Sequence, residues 1–348
     1  MAESGNGRAA TRMAHPTLED VAAHAGVSRA TASRAVNGAA RVAESTRRAV
    51  EAAIDQLGYS PNQAARNLAA SRNDTVALVV CEPSGQFFRD PYFGQVVRGV
   101  AAELGPTRYQ LVLLMVQGEE DRARTQRHLV RGNADGVLLV STRADDPLPR
   151  RLADAGVPCV LAGRPPEGVD VGYVDADNVG GASLAVTHLL GCGRKVIGTV
   201  AGPTDMAAGA DRLDGWHKAL ADAGRPAPSE LVAAAPFTRE GGEHATHQLL
   251  ARRPDLDGLF VASDLMALGA LDALRRAGRR VPEDVGVVGF DDSDLAREAR
   301  PALTTVRQPI EGLGRELVTA LLGRLDGDGT APRPAVVLKT ELVLRASS

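Results

Sequence analysis

The sequence is short of several things that would point to other classes of protein. Aromatic residues make up only 3% of 348 positions, so an aromatic side chain at a pocket carries more weight than usual. The three cysteines, Cys81, Cys159 and Cys192, lie far apart without a Cys-x-x-Cys spacing. That argues against a disulfide framework or a zinc site and fits a reducing compartment. The first fifteen residues, MAESGNGRAATRMAH, hold no apolar run able to act as a secretory core, and no stretch reaches the length of a membrane span. A cytoplasmic location with no membrane partner is therefore expected. Phosphate-binding P-loop, G-x-S-x-G and dinucleotide fingerprints are all missing. Asp291 and Asp292 are adjacent and would point oppositely in an extended chain, a poor glycosidase pair. His244 and His247 lack an acidic or cysteine partner and read as surface residues. Neither catalysis, nor a metal, nor a cofactor is expected.

What is there is the composition of a globular protein, 44% hydrophobic and 24% charged, long enough for two or three compact units. The formal charge of -3 is unevenly spread. Residues 1–72 carry nine arginines and six carboxylates, and the remainder carries 31 basic and 37 acidic side chains. A basic module on an acidic body is expected where only one end meets phosphate.

Residues 1–15 read as a flexible leader and 17–57 as helical, with a linker around 58–74. From Val76 strand-length apolar runs alternate with amphipathic helical stretches: VALVV (76–80), YQLVLLM (109–115), GVLLV (136–140), PCVLA (158–162), KVIGTVA (195–201), DGLFVAS (257–263) and DVGVVGF (284–290). Such runs do not alternate in polarity, which predicts parallel sheets covered on both faces. Two doubly wound lobes facing a cleft are expected, with ligands at the carboxyl ends of the strands. The closing strands are placed within 336–345.

The stretch TLEDVAAHAGVSRATASRAVNG (17–38) carries its own punctuation. Thr17 can cap a helix whose first turn holds Glu19 and Asp20. Gly26 suits a left-handed stop, and Ser28 caps a second helix two residues later, a helix-turn-helix pattern. Ala32, Ala35 and Val36 form the inward stripe of that second helix, with Arg29, Ala30, Ser33 and Arg34 outward. Small residues let a backbone approach the major groove, and long guanidiniums reach guanine O6 and N7. Ser28, Thr31 and Asn37 suit phosphate oxygens. An ordinary Ala-rich helical pair with a solvated face is the alternative reading of this stretch alone.

This stretch, followed by RVAESTRRAVEAAIDQLGYSPNQAARNLA (41–69), closely resembles the headpiece of lactose-repressor-family (LacI/GalR) bacterial regulators. The resemblance continues in DPYFGQVVRGV (90–100), NADGVLLV (133–140), AGPTDMAAGADRLDGWHKAL (201–220), ASDLMALGALDALRRAGRRVPEDVGVVGFDD (262–292) and PALTTVRQPIEGLG (301–314). It implies an all-α helix-turn-helix headpiece (16–60), a hinge helix and linker (61–74), and an α/β, periplasmic-binding-protein-like effector and dimerisation domain (75–345). It implies a sequence-specific regulator, a repressor by the commoner family behaviour, that binds a palindromic double-stranded operator as a homodimer and answers to a small molecule, a sugar. A purine- or nucleoside-responsive regulator of the same family is the alternative; a cytoplasmic sugar-binding protein or an enzyme fits less of the chain. With no leucine-heptad tail after Arg345, a dimer is expected rather than a tetramer.

By the same resemblance Arg29, Ala30 and Arg34 fall at base-reading positions, with Thr17, Ser28, Thr31, Ser33, Asn37 and Thr46 among the other DNA contacts. Ala30 departs from the polar residue common there, and Ala43 replaces a serine that caps the third helix. In the hinge, Asn62, Ala65 and Leu68 match, Leu68 at the position of a leucine that wedges into the minor groove; packing against the headpiece is its other reading. Asp291 and Arg212 match the family's ligand-binding aspartate and arginine, and Phe237 an aromatic that stacks on the ligand. Tyr92, Phe93, Arg164 and Ser263 complete the expected effector set. Ala208, Gly209 and Ala210 stand where the family has an arginine–serine pair, which removes polar contacts.

Overall fold

The computed structural model describes residues 16–36, 42–59, 73–326 and 333–348. The leader expected at 1–15, the hinge at 61–72, and with them Asn37, Asn62, Ala65 and Leu68, lie outside the described residues. The chain divides into two compact units between Asn73 and Asp74.

Among the described residues of the first unit are three helices, α1 (Leu18–His24), α2 (Arg29–Val36) and α3 (Glu44–Leu57). None is long enough to be stable alone in water, so their shared core must hold them. That core is Val21, Val50 and Ala53, with Val27, Ala35, Val36, Ile54 and Leu57 partly buried around it. His24 Nε2 and Gln56 Oε1, 2.6 Å apart, tie α1 to α3.

The second unit has two lobes. In the first, six parallel strands run in the order β11-β5-β4-β3-β1-β2: β1 (Thr75–Val80), β2 (Gln110–Met115), β3 (Gly136–Val140), β4 (Cys159–Ala162), β5 (Gly172–Ala176) and, from far along the chain, β11 (Ala335–Leu338). Alternate residues of one strand feed two cores: Val76, Leu78 and Val80 on one face, Ala77 and Val79 on the other. Burial on both faces is why these segments read as unbroken apolar runs. The exception is the edge strand β2, where Val112 and Leu113 are each 39% exposed. One face is covered by α5 (Pro91–Leu104) and by α13 (Ile310–Leu325), which returns from the far end of the chain. A Cβ on Gly99 would lie 2.1 Å from the Glu311 carbonyl oxygen, so only glycine permits these two helices to approach so closely.

The second lobe is a sheet of order β12-β10-β9-β8-β6-β7, from β6 (Ile197–Ala201), β7 (Val232–Ala234), β8 (Gly258–Val261), β9 (Gly286–Asp291), β10 (Thr304–Arg307) and β12 (Glu341–Val343). All its pairings are parallel except β10 with β12. Flanking helices include α8 (Asn178–Gly191), α9 (Ala207–Asp222), α10 (Arg239–Arg252) and α11 (Asp264–Arg276) around fully buried Trp216, Phe260 and Phe290. The closing stretch 336–345 splits at Lys339–Thr340 and gives one strand to each lobe. The chain thus crosses between lobes three times, after β5, after β10 and after β11. These crossings set the floor of the cleft.

Candidate functional site

In the first unit, Thr17 and Asp20 cap α1 reciprocally: the Asp20 N–H donates to Thr17 Oγ1 at 3.3 Å and the Thr17 N–H to Asp20 Oδ2 at 2.8 Å. Those bonds from Thr17 hold the Asp20 carboxyl below its ordinary range. Gly26, at φ +65°, turns the chain left-handed, and the Val27 N–H closes back on the Ala22 carbonyl at 3.0 Å. Ser28 Oγ then accepts from the Thr31 N–H at 3.1 Å and lies 2.9 Å from Thr31 Oγ1, which starts α2. Arg29, Ala30 and Arg34 are exposed and Ala32 is fully buried. Ser33 is half-buried where the sequence placed it outward, because it lies only about 60° around the helix from Val36. Thr46 is half-buried in the first turn of α3, and Ala43 at that helix's N-cap makes no side-chain cap bond. One contact has no signal in the sequence: Glu19 Oε1 lies 2.6 Å from Arg29 Nε.

In the second unit the interlobe cleft is lined by Tyr92, Phe93, Arg164, Arg212, Phe237, Ser263 and Asp291. All seven side chains singled out from the sequence are therefore brought to one cavity. Arg212, on the buried face of α9, donates from Nε to Asn178 Oδ1 at 2.9 Å and from Nη1 to the Ala262 carbonyl at 2.6 Å. Its guanidinium stacks 3.8 Å from the Phe290 ring centroid, with Phe237 at 5.8 Å. Asp291, at the end of β9, lies 3.7 Å from Arg212 Nη1 and accepts from Gln308 Nε2 at 2.6 Å.

The turn that aims Asp291 is strained. Asp291 and Asp292 have φ of +117° and +54°, conformations that cost side-chain-bearing residues about 1–3 kcal/mol each. Two buried groups hold it. Asp264 accepts from the Ser293 N–H at 2.8 Å and from Thr305 Oγ1 at 2.6 Å. Asp292 turns away from the cleft and accepts from Arg307 and Arg345. Ser263 Oγ accepts from the Met266 N–H at 3.2 Å, so this hydroxyl also caps α11.

Burial raises the carboxyls of Asp291 and Asp264, and the Arg212 guanidinium partly offsets this at Asp291. Asp90, whose Oδ1 caps α5 through the Tyr92 N–H at 3.0 Å, is pushed up to about 6, again by burial. Acceptors flanked by a fork of donors, beside apolar Phe93, Phe237, Met206 and Leu313, form a cavity suited to a polyhydroxylated ring with one apolar face.

Contacts also cross the mouth of the cleft. Arg164 donates through Nε to Asp211 Oδ2 at 3.1 Å and through Nη2 to the other oxygen. The guanidinium expected to meet ligand is thus engaged by the opposite lobe. Arg143 Nη1 donates to Asp205 Oδ2 at 2.6 Å, and the Ala144 N–H to the Asp205 carbonyl at 2.7 Å. The Gln86 amide donates to the Phe237 carbonyl.

Sequence reasoning missed Glu82, Gln86, Asp90, Asp175, Asn178 and Gln308, which also line the cavity. Asp175 lies at the end of β5, and Asn178 and Gln308 just beyond β5 and β10 where the chain crosses between lobes, so only the fold gives them their neighbours. Asp90 did carry a signal, an aspartate directly before Pro91 at a helix start.

Residues 17–62 match the model of bacterial regulatory proteins of the lacI family, and 186–348 that of a periplasmic binding protein-like domain. The HTH-type transcriptional regulator CelR of Thermobifida fusca is 48% identical over 339 residues, 97% of this chain and 99% of that protein. A solved CelR–cellobiose complex is 46% identical over 96% of this chain and 100% of the other, with a TM-score of 0.77. A lac repressor dimer bound to operator and the anti-inducer ONPF is 29% identical over 95% and 98% of the two chains, with a TM-score of 0.84.

Proposed function

The chain belongs to the LacI family of bacterial regulatory proteins, and on that premise we propose that cellobiose, or a closely similar β-linked glucose disaccharide, seated between its lobes releases it from a palindromic operator. Membership makes it a DNA-binding transcriptional regulator, not an enzyme. The observation that carries the effector reading is the convergence of Arg212, Asp291 and Phe237 in one cleft, in a chain 46% identical to a regulator solved with cellobiose. Arg212 and Asp291 take vicinal hydroxyls as donor fork and acceptor, and Phe237 stacks on the sugar face. Tyr92, Phe93 and Ser263 shape the rest, and Arg164 holds the lobes together over the ligand.

Arg29, Ala30 and Arg34 meet base edges, with Arg34 on guanine worth about 1–3 kcal/mol of discrimination. Thr17, Ser28, Thr31, Ser33 and Thr46 face the phosphates, and residues 61–74 form the hinge. The regulator acts as a cytoplasmic homodimer, since one headpiece reads only a half-site. Exposed Phe88, Val112 and Leu113 on the first lobe support a partner there. Among the described residues no helix is long and apolar enough to cross a membrane.

Thermal unfolding with a panel of ligands tests the effector. At one hundred times its dissociation constant a ligand adds about 2.7 kcal/mol, a shift of several degrees. Cellobiose is expected to give that shift. Stabilisation by a purine base or nucleoside and by no carbohydrate would refute the proposal.

A further inference from the structure

Asp292 faces away from the cleft, yet its side chain is 1% exposed and both its oxygens are taken. Oδ2 accepts from Arg307 Nε at 2.6 Å, and Oδ1 accepts from Arg345 Nη2. The two guanidiniums come from different segments: Arg307 ends β10, and Arg345 lies two residues past β12. Arg345 is itself tied down. Its Nη1 donates to the Leu303 carbonyl at 2.8 Å and its backbone N–H to Thr304 Oγ1 at 2.9 Å. Neither arginine lines the cleft.

A buried carboxylate held by guanidiniums stabilises a fold little more than a well-packed apolar group of the same shape would. Its effect here is local. Asp291 and Asp292 sit at φ of +117° and +54°, a backbone that persists only where the surroundings over-determine it. Arg307 and Gln308 are consecutive: the first bonds Asp292 behind the turn, and the second donates to Asp291 in front of it at 2.6 Å. Asp291 and Arg307 are register partners of β9 and β10, so backbone pairing fixes the span across which both side chains reach. With Asp292 released, the turn can relax toward negative φ, and the Asp291 carboxylate swings with it.

We propose that Arg307 and Arg345 are positioning residues for the effector: by clamping the Asp292 carboxylate they hold the strained turn, and so set how well Asp291 meets a sugar that they themselves never touch. This rests on the reading of Asp291 as a ligand-binding residue. A clamp that served stability alone would, when broken, lower the melting temperature and leave the sugar affinity of the folded protein as it was.

The test uses the full chain, with cellobiose titrated by calorimetry and thermal unfolding as the check on folding. Arg345→Ala and Arg307→Ala are each compared in the parent and in the Asp291→Asn background. Each is expected to weaken cellobiose binding by about tenfold in the parent. In the Asp291→Asn background the same replacements should change it by less than about twofold, because the group they aim has already gone. Should Arg345→Ala not fold, Arg307→Ala carries the comparison, since the Arg307 side chain is 48% exposed and its loss opens no cavity in the core. Unchanged affinity in either folded alanine variant, alongside a loss in Asp291→Asn, overturns the clamp alone. Equal losses in the two backgrounds overturn it as well, since the arginines would then act elsewhere. An Asp291→Asn protein that binds cellobiose as the parent does overturns the effector reading of Asp291, and the proposal with it.

Discussion

Replacing Asp291 with asparagine keeps the shape of the side chain and removes its charge. In the cleft Asp291 accepts from Gln308 Nε2 at 2.6 Å and faces Arg212 Nη1 at 3.7 Å. Both contacts are made by Oδ1, so an asparagine can keep its one oxygen there only by putting its NH₂ in place of Oδ2, and what it offers a ligand hydroxyl is a donor or at most a neutral acceptor. Hydrogen bonds to charged groups contribute about 1.5–3 kcal/mol, so cellobiose affinity is expected to fall roughly 10- to 150-fold. Stability should move little. Burial already disfavours the Asp291 charge, and Arg212 keeps Asn178, the Ala262 carbonyl and the Phe290 ring. Because the substitution lies far along the chain from the headpiece, operator affinity without sugar should be that of the parent, giving a repressor that no longer lets go. Calorimetric titration with cellobiose and fluorescence anisotropy on labelled operator read the two quantities. A folded Asp291→Asn variant that binds cellobiose within twofold of the parent would refute the role given to this carboxylate.

Three further expectations follow from the same geometry. Asp90 has a folded pKa of about 6 against an ordinary 3.8, so the unfolded chain gives up its proton first as pH rises. Its contribution to stability is full below about pH 4 and declines through pH 6, by roughly 2–3 kcal/mol. Asp90→Asn, which keeps a capping oxygen, should flatten that decline in unfolding curves from pH 4.5 to 7, and a parallel decline in both proteins would count against it. Arg143→Ala breaks the exposed interlobe pair with Asp205 and should weaken sugar binding only a few-fold at low salt, the difference vanishing at high salt; identical titrations at low salt would show that the pair does not help close the cleft. Gly99→Ala drives a methyl into the Glu311 carbonyl and should cost about 1–3 kcal/mol or more of stability. An unchanged melting temperature would mean that α5 and α13 can part without cost.

Much of this was legible in the residues themselves. The capping pair at Thr17 and Asp20, the left-handed Gly26 and the cap at Ser28 are local chemistry, and the structure forms each of them. Six buried strands and the half-exposed edge strand β2 announced themselves as apolar runs. The short strands β5, β7 and β10 did not, because GYVDA, VAA and TTVR are brief or carry polar residues. Ser33 was misjudged by the width of a stripe on a two-turn helix. The cleft divides in the same way: Arg212, Asp291 and Phe237 were found by family resemblance, whereas Asp175, Asn178 and Gln308 acquire their neighbours only when the chain crosses between lobes. The pairing of Arg164 with Asp211, 47 residues apart, and of Glu19 with Arg29 likewise depends on tertiary placement.

The most direct measurement is the cellobiose dissociation constant of the regulator alone and of the same protein saturated with its selected palindromic operator. Linkage requires any weakening of DNA binding by sugar to reappear as an equal weakening of sugar binding by DNA. The expected result is a reciprocal factor of about 5–150, with operator released as the cleft fills. Cellobiose that fills the cleft with the same affinity in both cases, and leaves the operator bound, would contradict the account at its centre.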